Sequence, residues 1–219
     1  MRFRVVLSAA ALVLAASLAT SAFAQGQNAN AGPRLLGNVE RFDGKILVVK
    51  IADGTTTSVT VPADLRIVGR EKGSLAAIKA GDFVGSAADE SPDGKLHAEE
   101  VHIMDGALRG VGEGHRPMAA NATSSARTMT NATVAEARSM TNATVAGVSG
   151  GAQTRVLKME YPGGVSEIEV APDTPITRMS VGGASLLKPG AAVTVGTTKA
   201  DAGLVANQMF VDTDQNNPR

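Results

Sequence analysis

The feature that most constrains this chain is one residue pattern that occurs twice at a nearly constant spacing. Seven residues of the first half have a residue of the same type 109 positions later in the chain: Val61, Asp64, Ile67, Gly73, Lys79, Gly81 and Val84. Leu96 and Ala98 recur 108 positions later, and Val39 and Phe42 align with Val145 and Val148 at an offset of 106. A nearly constant offset over a whole unit indicates a tandem duplication. We place the units at residues 34–105 and 140–213.

Each unit consists of short β-branched runs separated by turn residues. Asp43-Gly44 and Asp53-Gly54 separate three such runs, and Pro92-Asp93-Gly94 precedes another. Asp-Gly between short apolar runs is a strong hairpin signal, because glycine accepts positive φ. The pattern predicts an all-β chain, with five to six short strands and one helical turn in each unit. A small OB-like β-barrel suits this order and removes exposed strand edges, and a β-sandwich is the alternative.

The last strand of each unit has two apolar pairs that strict alternation would place on opposite faces. With strict alternation, Leu96 and Ala98 would lie on one face of the strand, and Val101 and Ile103 on the other. We therefore predict a β-bulge near residues 99–100 and a matching bulge near residues 207–208.

The N-terminus is typical of a secretory signal peptide. Arg2 and Arg4 precede an apolar run over residues 5–18, and a small-x-small cleavage site follows at residues 22–24. The apolar run is shorter than the ~20 residues that a membrane-spanning helix needs. We expect cleavage after Ala24, a periplasmic or secreted mature protein without a membrane span, and a polar tail over residues 214–219.

Residues 106–139 have the Gly, Ala, Ser, Thr and Asn composition of a linker. Within this segment the nine residues 126–134 are echoed at residues 137–145. We interpret the first copy as an insertion that duplicated the lead-in to the first strand of the second unit.

Charge and composition exclude several function classes. The chain has 21 basic and 21 acidic residues and no cysteine. A nucleic-acid partner is disfavoured because such domains usually carry a clear excess of Lys and Arg. The sequence contains none of the nucleophile or metalloprotease motifs, so we expect no enzyme activity.

A cluster of imidazoles and carboxylates on one strand is the main candidate site. His97, Glu99, Glu100 and His102 lie within six residues, and His115 follows in a Gly-rich stretch over residues 110–118. Imidazole and carboxylate together can bind a divalent transition metal such as Zn²⁺, Cu²⁺ or Ni²⁺. The alternative interpretation is a solvated polar face with no cofactor.

The chain resembles an exported bacterial protein family of unknown function. The resemblance lies in the Asp-Gly hairpins and in residues 93–98, 112–117 and 140–145. The resemblance implies two small OB-like barrels and carries no catalytic residues across. Relatives sometimes bear the label of a metal-transporter permease, an activity that requires several membrane spans.

These observations predict a non-catalytic binding or structural module of the periplasm or cell envelope. Its expected partner is an envelope protein or a glycan. The alternative function is a periplasmic metal-binding accessory protein that uses the His/Glu strand.

Overall fold

The computed structural model describes residues 30–119, 126–139 and 153–214, and the predicted signal peptide lies outside these residues. The described residues form thirteen strands: β1 Leu35–Phe42, β2 Ile46–Ile51, β3 Thr56–Thr60, β4 Ile67–Lys72, β5 Phe83–Glu90, β6 Leu96–Met104, β7 Gly114–Pro117, β8 Arg127–Ser139, β9 Arg155–Tyr161, β10 Gly164–Val170, β11 Ile176–Gly182, β12 Ala192–Ala200 and β13 Gly203–Asp212. Three single-turn 3-10 helices accompany them at Leu75–Ala77, Gly106–Leu108 and Ala184–Leu186. The predicted all-β class is confirmed. Among the described residues, no helix is long and apolar enough to cross a membrane.

The strands close into two five-stranded barrels. In the first barrel, β1 pairs with β2, β2 with β3, β3 with β13, β13 with β12, and β12 with β1. In the second barrel, the ring runs through β5, β6, β10, β9 and β8 and back to β5. Closure pairs the strand edges within each ring, as the prediction of small barrels requires.

The barrels do not coincide with the predicted units 34–105 and 140–213. The first barrel takes three strands from the first half of the chain and two from the end, and the second barrel takes five of the strands between them. The two cores follow the same division: one contains Leu47 and Met209, and the other contains Val84 and Leu157. The two halves have therefore exchanged their last two strands within one chain, which duplicated units permit because equivalent strands offer equivalent surfaces.

Strands β4 and β11 connect the barrels. They pair antiparallel with each other, and each also pairs in parallel with the last strand of a repeat, β4 with β13 and β11 with β6. Arg70 and Met179 are partners at the middle of this pairing and occupy equivalent positions of the two repeats. An approximate twofold axis therefore passes between these two residues.

Aliphatic side chains fill both barrels, and each barrel depends on them for its stability. Leu47 in the first barrel is fully buried, whereas Leu36 on the neighbouring strand is 61% exposed. We expect Leu47→Ala to lower the free energy of unfolding by about 2–5 kcal/mol, because it leaves a cavity in a closed core. Leu36→Ala is the matched control and should change stability by less than about 0.5 kcal/mol in the same urea titration. Equal effects of the two substitutions would contradict this assignment of the core.

The local predictions of turns and bulges are confirmed. Gly44 and Gly54 have φ of +99° and +85°, and the carboxylate of the preceding Asp accepts hydrogen bonds from the backbone of each turn. The backbone N–H groups of Ile46 and Lys45 lower the pKa of Asp43, and the hydroxyl and backbone N–H of Thr55 lower the pKa of Asp53. In β6 the register shifts so that Glu99 is the extra residue, and in β13 a shift leaves Asn207 in the same position.

The predicted linker over residues 106–139 contains two strands. β8 begins at Arg127 and pairs with β5, β7 and β9. The first copy of the echoed nine residues is therefore in the sheet, where Val134 occupies the position that Val39 has in the first barrel. This corrects the alignment of Val39 with Val145 and the start of the second unit at residue 140. Most of the second copy lies outside the described residues.

Candidate functional site

The five predicted metal ligands do not lie together as one group in the structure. His97 is exposed on β6, and its Nδ1 lies 3.6 Å from Glu169 Oε2 on β10. The other oxygen of Glu169 lies 3.2 Å from Lys95 Nζ, and its hydrogen bond raises the pKa of that lysine. His97 therefore belongs to a small ionic group on the outside of the second barrel.

Glu99 is bound by an arginine. Arg127 Nε donates a 2.8 Å hydrogen bond to Glu99 Oε2, and Nη2 donates to the same oxygen. This contact raises the pKa of Arg127. The ion pair fastens the bulge of β6 to the start of β8 across β5, so Glu99 has a structural partner.

His115 lies on β7, not on the strand β6 that carries the other four predicted ligands. Its Nδ1 is 2.8 Å from Thr130 Oγ1, and its ring stacks on Tyr161 with the centroids 6.1 Å apart. The Gly-rich stretch that contains His115 thus acts as a strap against β8. Neither contact brings His115 to the strand of the other predicted ligands.

Glu100 and His102 are the two predicted ligands that meet. Glu100 Oε1 lies 3.4 Å from His102 Nε2, while His102 Nδ1 is buried without a hydrogen-bond partner. Over the described part of the chain, no three His, Asp or Glu side chains converge in a way that could hold a metal ion. The sequence thus identified His102 as a residue of interest, and of the other predicted ligands Glu100 is the one that lies beside it.

A cleft of about 670 Å³ lies between the two barrels, and His102 is part of its wall. We call it the central cleft. Its apolar wall includes Leu65, Met104, Leu108, Val111, Met129, Met179 and Phe210, and its polar groups include Asp64, Arg66, His102, Arg116 and Asn131. Both barrels and both connecting strands contribute, so the cleft exists only in the assembled chain.

Asn131 lines the central cleft and has a buried polar atom just behind the wall. Its side chain is 7% exposed, its Nδ2 donates to the Val111 carbonyl at 3.1 Å, and its Oδ1 has no partner in the described structure. The amide fits because the facing residue is Gly85, where a Cβ would lie 2.6 Å from Asn131 Oδ1. A buried acceptor without a partner is costly, so this atom suits a ligand that donates a hydrogen bond.

Sequence reasoning missed the methionines and Asn131. Met104, Met129, Met179 and Asn131 lie on three strands that are distant in sequence, β6, β8 and β11. A single methionine on a strand normally indicates core packing. The local signal that pointed here was the Gly-rich stretch, which supplies Val111 and Arg116.

No family model, no curated protein and no solved structure matches this chain. The resemblance to an exported bacterial family stays a prediction.

Proposed function

We propose that this protein is a non-catalytic binding module that holds a small ligand in the central cleft between its barrels. The observation that supports this is the combination of a largely apolar wall with the unpartnered oxygen of Asn131. The volume lies within the range of about 300–1,000 Å³ that is usual for small-molecule sites.

The polar groups of the central cleft indicate the chemistry of the ligand. Arg66 and Arg116 outnumber Asp64 at the wall, so an acidic group on the ligand is favoured. Asn131 Oδ1 would accept a hydrogen bond from a hydroxyl or amide of the same molecule. We therefore propose an amphipathic, anionic small molecule.

Binding suits this cleft better than catalysis. Asn131 and Arg116 donate to backbone carbonyls of the strap, at Val111 and Gly112, and so hold the wall in place. Groups engaged in this way position a ligand rather than transfer protons to it.

We propose that the module works in the periplasm or outside the cell, where an envelope protein or a glycan is its partner. The basic and apolar pattern of residues 1–24 supports export. Mass spectrometry of the protein recovered from its native host should give a mature N-terminus at Gln25, and an intact Met1 would contradict export.

Filling the central cleft is expected to weaken binding of an apolar anion. Val111 is 46% exposed at its wall, and a tryptophan there would occupy the space. We expect Val111→Trp to weaken the affinity for anilinonaphthalene sulfonate by about tenfold in a fluorescence titration, which is a loss of about 1.4 kcal/mol.

The matched control is Val165→Trp, because Val165 is similarly exposed, at 52%, and lies on β10 away from the central cleft. It should bind the probe as the unmodified protein does. If both variants bind the probe equally well, the central cleft is not the binding site.

A further inference from the structure

Strand β8 carries a stretch of sequence that occurs a second time eleven residues further along the chain. Residues 126–134 and 137–145 are identical at eight of nine positions, and the one difference is Thr128 against Ser139, which both have hydroxyl side chains. In the structure the first copy forms the sheet, and residues 140–145 of the second copy lie outside the described residues. The chain therefore has two candidates for one place in its second barrel.

The repeated residues are the ones through which β8 completes that barrel. Ala132 and Val134 are buried in its core, and Thr130 is buried as well. Residues 127–133 form the ladder with β5. Because the second copy has the same residue types in the same order, it offers β5 the same cross-strand partners.

The side-chain contacts of β8 are repeated too. Four residues of the first copy bind other parts of the chain through their side chains: Arg127 binds Glu99, Thr130 binds His115, Asn131 binds Val111 and Thr133 binds Arg109. Their counterparts eleven residues later are of the same four types: Arg138, Thr141, Asn142 and Thr144. An exchange of the copies would therefore keep the ion pair with Glu99, the contacts that hold the strap, and the amide of the central cleft.

The two neighbouring connections have lengths that allow the exchange. A shift of eleven residues would place residues 138–150 in the sheet instead of residues 127–139. The connection to β9, which begins at Arg155, would shorten from residues 140–154 to residues 151–154. Four residues is a usual length for a hairpin loop. The connection from β7 would lengthen by the same eleven residues, and the entropy of a loop grows only slowly with its length.

The two arrangements differ at the end of β8 that lies beyond the repeat. Ala137, which pairs with Leu157, would be replaced by Val148, so an apolar side chain stays there. Outside the core, Ser149 and a glycine would replace Arg138 and a glutamate, with the loss of two exposed ion pairs. Exposed ion pairs contribute little to stability, and one glycine weakens a strand only modestly. The two arrangements are therefore close in free energy.

Only one copy can occupy the sheet at a time. Side chains alternate between the two faces of a strand with a period of two, and the spacing of the copies is an odd number of residues. In one continuous strand the copies would present opposite faces, so Val145 would point away from the core that Val134 fills.

We propose that strand β8 has two registers, one built from residues 127–139 and one from residues 138–150, and that the folded protein exchanges between them. The exchange moves eleven residues from the connection after β8 to the connection before it. Since β8 pairs with β5, β7 and β9, the exchange requires opening of the second barrel. The inference goes beyond the proposed function and does not depend on it, because both registers place an asparagine at the central cleft.

The first test places a charge at the buried position of one copy at a time. Val134→Asp should lower the urea midpoint by less than about a quarter of the decrease that Val84→Asp causes, because Val145 replaces Val134 in the second register. Val84 is the matched control, since it is buried in the same core and lies on β5, which has no second copy nearby. Val145→Asp alone should also have a small effect, and the double variant of Val134 and Val145 should be as unstable as Val84→Asp.

The second test identifies the registers by disulfide trapping, for which the absence of cysteine from the chain gives a clean background. Ser86 is the cross-strand partner of Thr130, and Thr141 takes that place in the second register. Under oxidation of the folded protein, Ser86→Cys should form a disulfide with Thr130→Cys in one double variant and with Thr141→Cys in another. Ser149→Cys is the control from the same part of the chain, because it lies opposite Ser86 in neither register.

Each test can overturn the proposal by itself. Equal decreases of the urea midpoint in Val134→Asp and Val84→Asp would show that the second copy cannot replace the first. Disulfide formation with position 141 that is no faster than with position 149 would show that the second register is not populated.

Discussion

Separation of the chain between residues 119 and 126 is expected to abolish the folding of each half alone. The piece that ends at residue 119 contains β1 to β3, which need β12 and β13 to close the first barrel. It also contains β5 and β6, which need β8, β9 and β10 to close the second. Each half thus holds two incomplete barrels, and an open barrel exposes both its core and its strand edges.

The experiment is to produce the two halves separately and then mix them. As dilute monomers, the halves should lack cooperative unfolding, and the equimolar mixture should form a one-to-one complex with a single urea transition. The control is the full chain cleaved within residues 120–125, which should remain one particle in size-exclusion chromatography. A half that folds alone as a monomer would show that the strand exchange between the barrels is dispensable.

Arg70→Ala is expected to be among the most destabilising single substitutions. Arg70 is 7% exposed, donates to Asp212 Oδ1 at 2.8 Å and to Thr194 Oγ1 at 3.3 Å, and lies over Phe210. Its removal leaves the Asp212 carboxylate partly buried without its counter-ion. We expect a loss of about 3 kcal/mol, the lower end for a buried pair, because Asp212 keeps some access to solvent.

Two further variants separate the ion pair from the general cost of truncation. Arg178→Ala removes an arginine whose partners, Glu71 and Asp105, are partly exposed, and it should cost less than about 1 kcal/mol. The double variant Arg70→Met with Asp212→Met reproduces the Met179 and Met104 pair of the other repeat. It should recover most of the lost stability, because a buried ion pair can be replaced by apolar groups of similar volume. Equal losses for all three variants in urea unfolding would contradict this role of the pair.

Some features of the candidate site follow from the local sequence, and others depend on strands that are distant in sequence. Two apolar pairs on one strand predicted the bulge at Glu99, and the bulge turns His102 into the central cleft. The sequence could not show that Met179, far along the chain, is the partner of Met104, because β11 reaches β6 only through the exchange of strands. For the same reason the sequence could not show that Arg127 is a partner of Glu99.

The sequence alone determined the all-β class, the repeat, the Asp-Gly turns and the bulges, because these depend on alternation and on the φ preferences of residues a few positions apart. It could not determine which repeat supplies the strands that close each barrel. Equivalent strands of a duplicated unit have the same apolar alternation, so the sequence pattern does not distinguish β5 from β12 as the neighbour of β1. Only the tertiary structure decided between them. The pairing of β4 with β11 places the last two strands of each repeat against the first strands of the other, and that exchange creates the central cleft.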